Sequence, residues 1–387
     1  MGNVFEVAEF FLRLGATAFG GPAVHITLME EELVVRRGWL SRSEFLDIQD
    51  TVNLIPGPNS TEMAILIGYR RAGWLGLLLG GVCFILPAAL IVSVIAWAYV
   101  AMGKQPLVDG LFYGIKPVII AVMVQAIWNL GRAAVKSWFL AILCAVAVAL
   151  DCLGVNLLLV LLIPGMFMVA FRAAARAAAQ PPDGTAAGLT PLLGATSGFR
   201  LLSTAGTLAP FSVWPMFLFF LKVGVVMFGS SYVLVAFLHA DLVEHRQWLT
   251  AGQLLNAVAI GQFTPGPLFA TATFIGYTLG GPQAALVATV AVFLPAFVLP
   301  AIIGPFVPRL RQSRLVGGFL DGVSVASLAL MAVVTWQLGG TAMVDWLTIS
   351  LAVASVVWLL FYRVNSTWLI LGGAAVGLAR FVLSNGP

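Results

Sequence analysis

The sequence predicts an all-α integral membrane protein of about ten transmembrane helices, arranged as two inverted five-helix repeats, each with a broken or re-entrant Pro-Gly-Pro segment. Three observations predict it. Of 387 residues, 60% are apolar and 9% charged, whereas soluble domains carry about 25% charge. Several apolar runs reach the roughly 20 residues that cross about 30 Å of hydrocarbon. The two halves of the chain resemble each other at a constant offset, and the 20 Lys and Arg residues cluster in short loops between the apolar runs. That is the positive-inside pattern, not a stripe that tracks phosphates. A lipid bilayer is the expected surrounding, and no nucleic-acid partner is expected.

The candidate segments are 8–29, 74–100, 107–129, 137–154 and 156–172, then 210–238, 284–308, 315–338, 346–362 and 366–384. Two further stretches, 51–69 and 260–278, are apolar but interrupted by Pro and Gly. No Lys or Arg precedes Arg13, so the basic start of a signal peptide is missing and the first segment is expected to stay in the mature protein. Between the halves, AAARAAAQPPDGTAAG has the Ala, Pro and Gly content of a linker. The expected division is a transport repeat at 1–172, a cytoplasmic linker at 173–209 and an inverted repeat at 210–387.

Shifted by 209, FFLRLGATAFGG at 10–21 meets FFLKVGVVMFGS at 219–230, and Pro56-Gly57-Pro58 meets Pro265-Gly266-Pro267. Of the 49 positions from 10 to 58, 16 are identical to their partners without a gap. After one deletion, Gly68-Tyr69 and Leu86-Pro87 meet Gly276-Tyr277 and Leu294-Pro295. The cation count then orients the copies. In the first half the rich stretches hold Arg36, Arg37, Arg42, Arg70 and Arg71, then Arg132 and Lys136, then Arg172, Arg176 and Arg200; in the second half the corresponding loops are poor and the alternate ones hold Arg309, Arg311, Arg314 and Arg363. Opposite alternation means opposite orientation, an inverted repeat of the kind common in secondary transporters. On five crossings per copy, Met1 is expected outside.

A Pro-Gly-Pro cannot continue a helix, and irregular backbone at membrane depth survives only where protein or a watery cavity satisfies it. The two motifs are therefore expected at the tips of broken elements that meet near the midplane. A helix starting after each tip would point free amides and the positive end of its dipole at a bound anion. The candidate contacts are Pro56, Gly57, Pro58, Asn59 and Ser60 with Asn53 in the first copy, and Pro265, Gly266 and Pro267 with Gln262 in the second. Gly20 and Gly21, matched by Gly229 and Ser230, offer close backbone approach or helix packing through small residues. Arg13 and Lys222 occupy matched intramembrane positions and form the leading candidate cation pair, with snorkelling to the interface as the structural alternative. Lys116 is read as an anion contact or half of an ion pair. His25 and Glu62 are candidate proton carriers. Cys83, Cys144 and Cys152 have no disulfide or zinc spacing, no hydrolase or nucleotide-binding motif is found, and neither an enzyme nor a metal or cofactor is expected.

FxxxGxxxFGGPxxH at 11–25, RRGWLS at 36–41, PGP at 56–58, GYRRAGWxG at 68–76 and FxxP at 84–87 together resemble the chromate ion transporter family in its two-domain form. The resemblance implies a secondary carrier of a tetrahedral oxyanion, chromate or sulfate, that confers chromate resistance by efflux across the bacterial inner membrane. FGSS in the second copy departs from the Gly-Gly expected there, so the two tips need not act alike. The alternative weighed is a lipid-handling protein that moves an anionic headgroup through re-entrant hairpins; a purely structural membrane subunit would not need intramembrane cations. A homo-oligomer is compatible with the sequence.

Overall fold

The computed structural model describes residues 2–102, 105–179, 211–228, 231–362 and 365–385, and among these there are helices and turns but no strand. Helix α1 (Gly2–Thr17) buries Val7, Phe10, Phe11 and Leu14 at helical spacing. It stops where Gly20 and Gly21 take φ of 112° and 81°, values a side chain would resist. Helix α2 (Pro22–Glu30), with Pro22 in its first turn, runs on through a π-helical stretch, Glu31–Arg36. The reversal brings Arg37 to 5.3 Å over the Phe10 ring and Trp39 to 5.8 Å from it. The segment at 8–29, which together with 51–69 is expected to supply one crossing, is thus a hairpin whose bend is the FGGP motif.

The next segment repeats the device. A capping box of Ser41 and Glu44 starts α3 (Arg42–Leu54), and Ile55, held extended before Pro56, ends it. Helix α4 (Asn59–Met102) is divided by non-helical Ala72 and Gly73. Its arms, 59–71 and 74–102, double back with Gly68 against Gly76 and Ala64 against Gly80. The 59–71 arm is only about 20 Å long at about 1.5 Å per residue, too short to span. Both hairpins open at one end of the molecule, where Arg71 bonds Glu6 at 2.8 Å and stacks over Trp39 at 5.0 Å. The N-terminal region therefore lies with the cations of 36–71, not on the opposite side as expected, because α1 and α2 turn back instead of crossing.

The second half has the same order: α8 (Val213–Val226), α9 (Val233–Leu238) with π-helical His239–His245, α10 (Ala251–Phe263) capped by Thr250 and Gln253, a 3-10 turn at Leu268–Ala270, and α11 (Thr271–Ile303) divided at Gly280 and Gly281. Its hairpins open where Phe211 meets Trp248 at 5.3 Å. Helix 74–102 relates the two openings. Residue 74 starts beside Arg71, while Tyr99 lies 5.2 Å from the Phe274 ring, accepts a 3.0 Å bond from Asn256 and lines a cavity of about 90 Å³ with Trp248 and Gln253. The hairpins of the two halves consequently open at opposite ends of that helix.

Helices α5 (Pro106–Ala134), α6 (Trp138–Cys152) and α7 (Leu157–Ala179) pack on α13 (Arg314–Ala342), α14 (Trp346–Phe361) and α15 (Ser366–Asn385), with the short α12 (Val307–Gln312) touching α3. Gly114 stacks on Gly373 with almost no gap, so α5 and α15 approach backbone to backbone. Polar clusters join the halves at each end. Asp321 binds Lys136 at 3.3 Å and Arg172 at 2.6 Å; at the other end Asp345 accepts from Tyr113 at 2.7 Å and pairs with Arg380. Among the described residues, six helices are long and apolar enough to cross a membrane, and Trp138–Cys152, Val213–Val226 and Trp346–Phe361 are shorter apolar ones. Outward faces show Trp97, Val94 and Trp358 exposed, as lipid contact requires. Residues 180–210 of the expected linker lie outside the described residues; the flanking Arg172 and Phe211 stand at opposite ends of the bundle, by Lys136 and by Trp248 respectively.

Candidate functional site

The four hairpin bends converge. The amide of Gly57 donates to the carbonyl of Met227 at 2.8 Å, and the amide of Gly266 donates to the carbonyl of Ala18 at 3.0 Å. Each partner in one bond is 209 residues from its counterpart in the other. Such reciprocity, in which i meets j and j meets i, is the contact pattern that a two-fold arrangement produces. Both donors are glycines in the left-handed half of φ space, at 148° and 89°. Gly266 is also crowded by Ala88 and the Gly15 carbonyl, so a side chain has no room.

Polar groups gather around these bonds. Pro56, Gly57, Pro58, Ser60, Pro265, Gly266 and Pro267 are buried, and Asn59 is partly so. The Asn59 side-chain amide donates to Asn53 Oδ1 at 3.2 Å, bridging the first bend from α3 to α4. Gln262 is buried and accepts a long 3.5 Å contact from the Tyr232 hydroxyl, which stands beside Gly21. His25 is fully buried, with Nε2 at 3.2 Å from the Ala18 carbonyl that also receives Gly266, and its ring meets Phe84 edge-on at 5.4 Å. Glu62, in the first turn of the 59–71 arm, is fully buried and its carboxyl lies against Gly57. Among the described residues, both Glu62 oxygens, Thr61 Oγ1, His25 Nδ1 and Gln262 Nε2 are buried without a hydrogen-bond partner. Buried polar atoms are normally satisfied; this concentration of exceptions is what a site for a small polar solute looks like. Neutral donors and first-turn amides can hold an anion here without a salt bridge.

The candidate cations do not join the bends. Arg13 is exposed on the face of α1 opposite Gly15, the residue that packs on Phe84. Lys222 sits 3.9 Å from Asp241, which Arg246 holds at 2.6 Å. Glu32 and Arg37 make the equivalent 2.9 Å pair in the first half. Lys116 stands over Gly252 at the outer end of α10, ten residues or about 15 Å from Gln262. It forms no ion pair among the described residues, and Asp321 stands toward the other end of the bundle with Lys136 and Arg172. Gly20 lies by Val24 and Asn365; Gly229 and Ser230 lie outside the described residues. Tyr232, Asp345 and Arg380 escaped the sequence reading. Asp345 and Arg380 carried a usable signal, as charges rare in so apolar a half; Tyr232 carried none, since its counterpart is Ala23.

A family model described as "Chromate transporter" matches residues 5–170 and again 214–378. A "Chromate transport protein" of Cupriavidus metallidurans is 30% identical over 388 residues, covering 98% of this chain and 93% of its own. A "Probable chromate transport protein" of Synechococcus elongatus is 30% identical over 88% of this chain and 86% of its own, and a "Chromate transport protein" of Pseudomonas aeruginosa is 31% identical over 85% and 79%. No solved structure matches significantly.

Proposed function

The chain belongs to the chromate transporter family in its two-domain form, and on that premise we propose that it is a secondary carrier exporting chromate, with sulfate as a competing oxyanion, across the bacterial inner membrane by alternating access. The observation that carries the reading is the reciprocal pair of bonds between the bends, Gly57 to Met227 and Gly266 to Ala18. Together with hairpins opening at opposite ends, it supports an inverted repeat. Each copy then consists of two re-entrant hairpins followed by four crossing helices, in place of five straight crossings.

The proposed binding groups are the backbone of 56–60 and 265–267, the side chains of Asn59, Ser60 and Gln262, and Asn53 as the residue that holds Asn59. Arg13 and Lys222 are left out, the one exposed and the other engaged with Asp241. The end holding Arg36, Arg42, Arg71, Lys136 and Arg172 is cytoplasmic under the positive-inside rule. Chromate uptake by everted membrane vesicles tests the reading. Saturable accumulation that sulfate suppresses is expected, and Asn59→Ala or Gln262→Ala should reduce it about tenfold, the loss of one charge-assisted hydrogen bond. Equal accumulation in vesicles with and without the protein would sink it.

A further inference from the structure

Resting on the carrier reading above, we infer that Glu62 is a proton-binding group built into the oxyanion site, its carboxylate and the oxyanion competing for the N-terminal end of the 59–71 helix. The amide of Glu62 donates to the Pro58 carbonyl at 3.1 Å, which fixes the residue in the first turn, and its carboxyl folds back onto Gly57. A carboxylate is favoured there for the reason an oxyanion is, the positive end of the helix and its free amides. Two anions cannot share the position. Chromate therefore enters as the Glu62 carboxylate takes one proton from water and becomes a neutral acid, and the proton leaves when the anion does.

Partners do not stand in the way. Both carboxyl oxygens lack a hydrogen bond among the described residues, so the proton comes and goes without breaking a bond inside the protein. Among the charged groups on elements packed against α4, Glu6 is held by Arg71, Glu30 lies 3.6 Å from Arg42, and Glu9, Arg13, Glu44, Asp47 and Asp50 are exposed. Helices α10 and α11 carry no charged residue. His25 alone is buried beside the bends, and its Nε2 is engaged with Ala18. The second copy has Leu268, Phe269, Ala270 and Thr271 where the first has Asn59 to Glu62, so one proton per transport cycle is the expected stoichiometry.

Calorimetric titration of the purified full-length protein with chromate, in buffers of different ionisation enthalpy between about pH 5 and 9, reads the proton directly. Wild type should take up about one proton per chromate more than Glu62→Gln, and its apparent Kd should rise by up to about tenfold per pH unit where Glu62 is ionised. The Gln variant, shaped like the protonated acid, should bind chromate and show only the protonation of the anion itself. Wild type without excess uptake, a variant that matches wild type, or a variant with an unchanged melting temperature that no longer binds would each overturn the inference. If neither protein binds chromate at any pH, the carrier reading itself fails.

Discussion

The bend at 55–58 and the bend at 264–267 share a backbone plan and carry very different side chains. Each follows a capped helix of 13 residues, each turns on a positive-φ glycine, and each donates one amide to a carbonyl of the opposite half. The first is followed by Asn59, Ser60, Thr61 and Glu62, the second by Leu268, Phe269, Ala270 and Thr271. His25 beside the first half's other bend is matched by Leu234. The two halves share the bonds that hold them together and differ in the side chains beside those bonds. Backbone-to-backbone bonds tolerate side-chain change, whereas a single small solute needs only one set of polar contacts.

Paired substitutions break or sharpen that comparison. The largest effect is expected at the glycines, and it should be unequal. At Gly266 a methyl meets Ala88 and the Gly15 carbonyl, which cannot move aside, while at Gly57 it meets the movable end of Glu62. Gly266→Ala should cost about 3–5 kcal/mol in thermal unfolding and Gly57→Ala about 1–3 kcal/mol, from strained φ plus overpacking. Equal losses would mean that the bends are held alike. Next come the clusters at the two ends. Asp321→Asn takes the carboxylate from both Lys136 and Arg172, the latter at 34% side-chain exposure, and should destabilise by about 1–2 kcal/mol. Asp345→Asn removes the carboxylate from Arg380, which is 45% exposed and stays stacked 4.0 Å over the Tyr113 ring, and keeps an N-cap that Asn supplies equally well, so about 0.5–1 kcal/mol is expected. A larger loss at Asp345 would reverse the ranking.

Smaller and equal effects should follow at the caps. Ser41→Ala and Thr250→Ala each remove a reciprocal capping box and should cost about 1 kcal/mol apiece; a difference beyond about 0.5 kcal/mol would show that the two hairpin entrances are not equivalent. The smallest effects belong to the outlying cations. Arg13→Ala and Lys222→Ala should each change chromate uptake by less than about threefold, the ceiling for an exposed or loosely paired charge. A loss beyond about tenfold in Arg13→Ala alone would return that residue to the site.

Part of the fold is legible in the sequence. The Pro-Gly-Pro at a constant offset pointed to two breaks, since proline removes a donor wherever it stands, and cation placement pointed to opposite orientations. The hairpin at 8–29 was not legible. Its run of apolar residues has the length of a crossing, and only the φ values of Gly20 and Gly21 reveal a reversal. The bonds from Gly57 to Met227 and from Gly266 to Ala18 have no sequence signature, because any residue supplies a carbonyl. Arg13 and Lys222 stand apart from the bends for a related reason: periodicity says that two cations share a helix position, but not which face of α1 or α8 is covered.

The two bonds between the bends also bear on energetics. Exchanging each residue with its partner 209 positions away converts one bond into the other. A form of the molecule with only the first bond open therefore has a twin with only the second open, at the same backbone cost. What tips the balance between the twins is whatever the copies do not share, and Glu62 and His25 are among those differences.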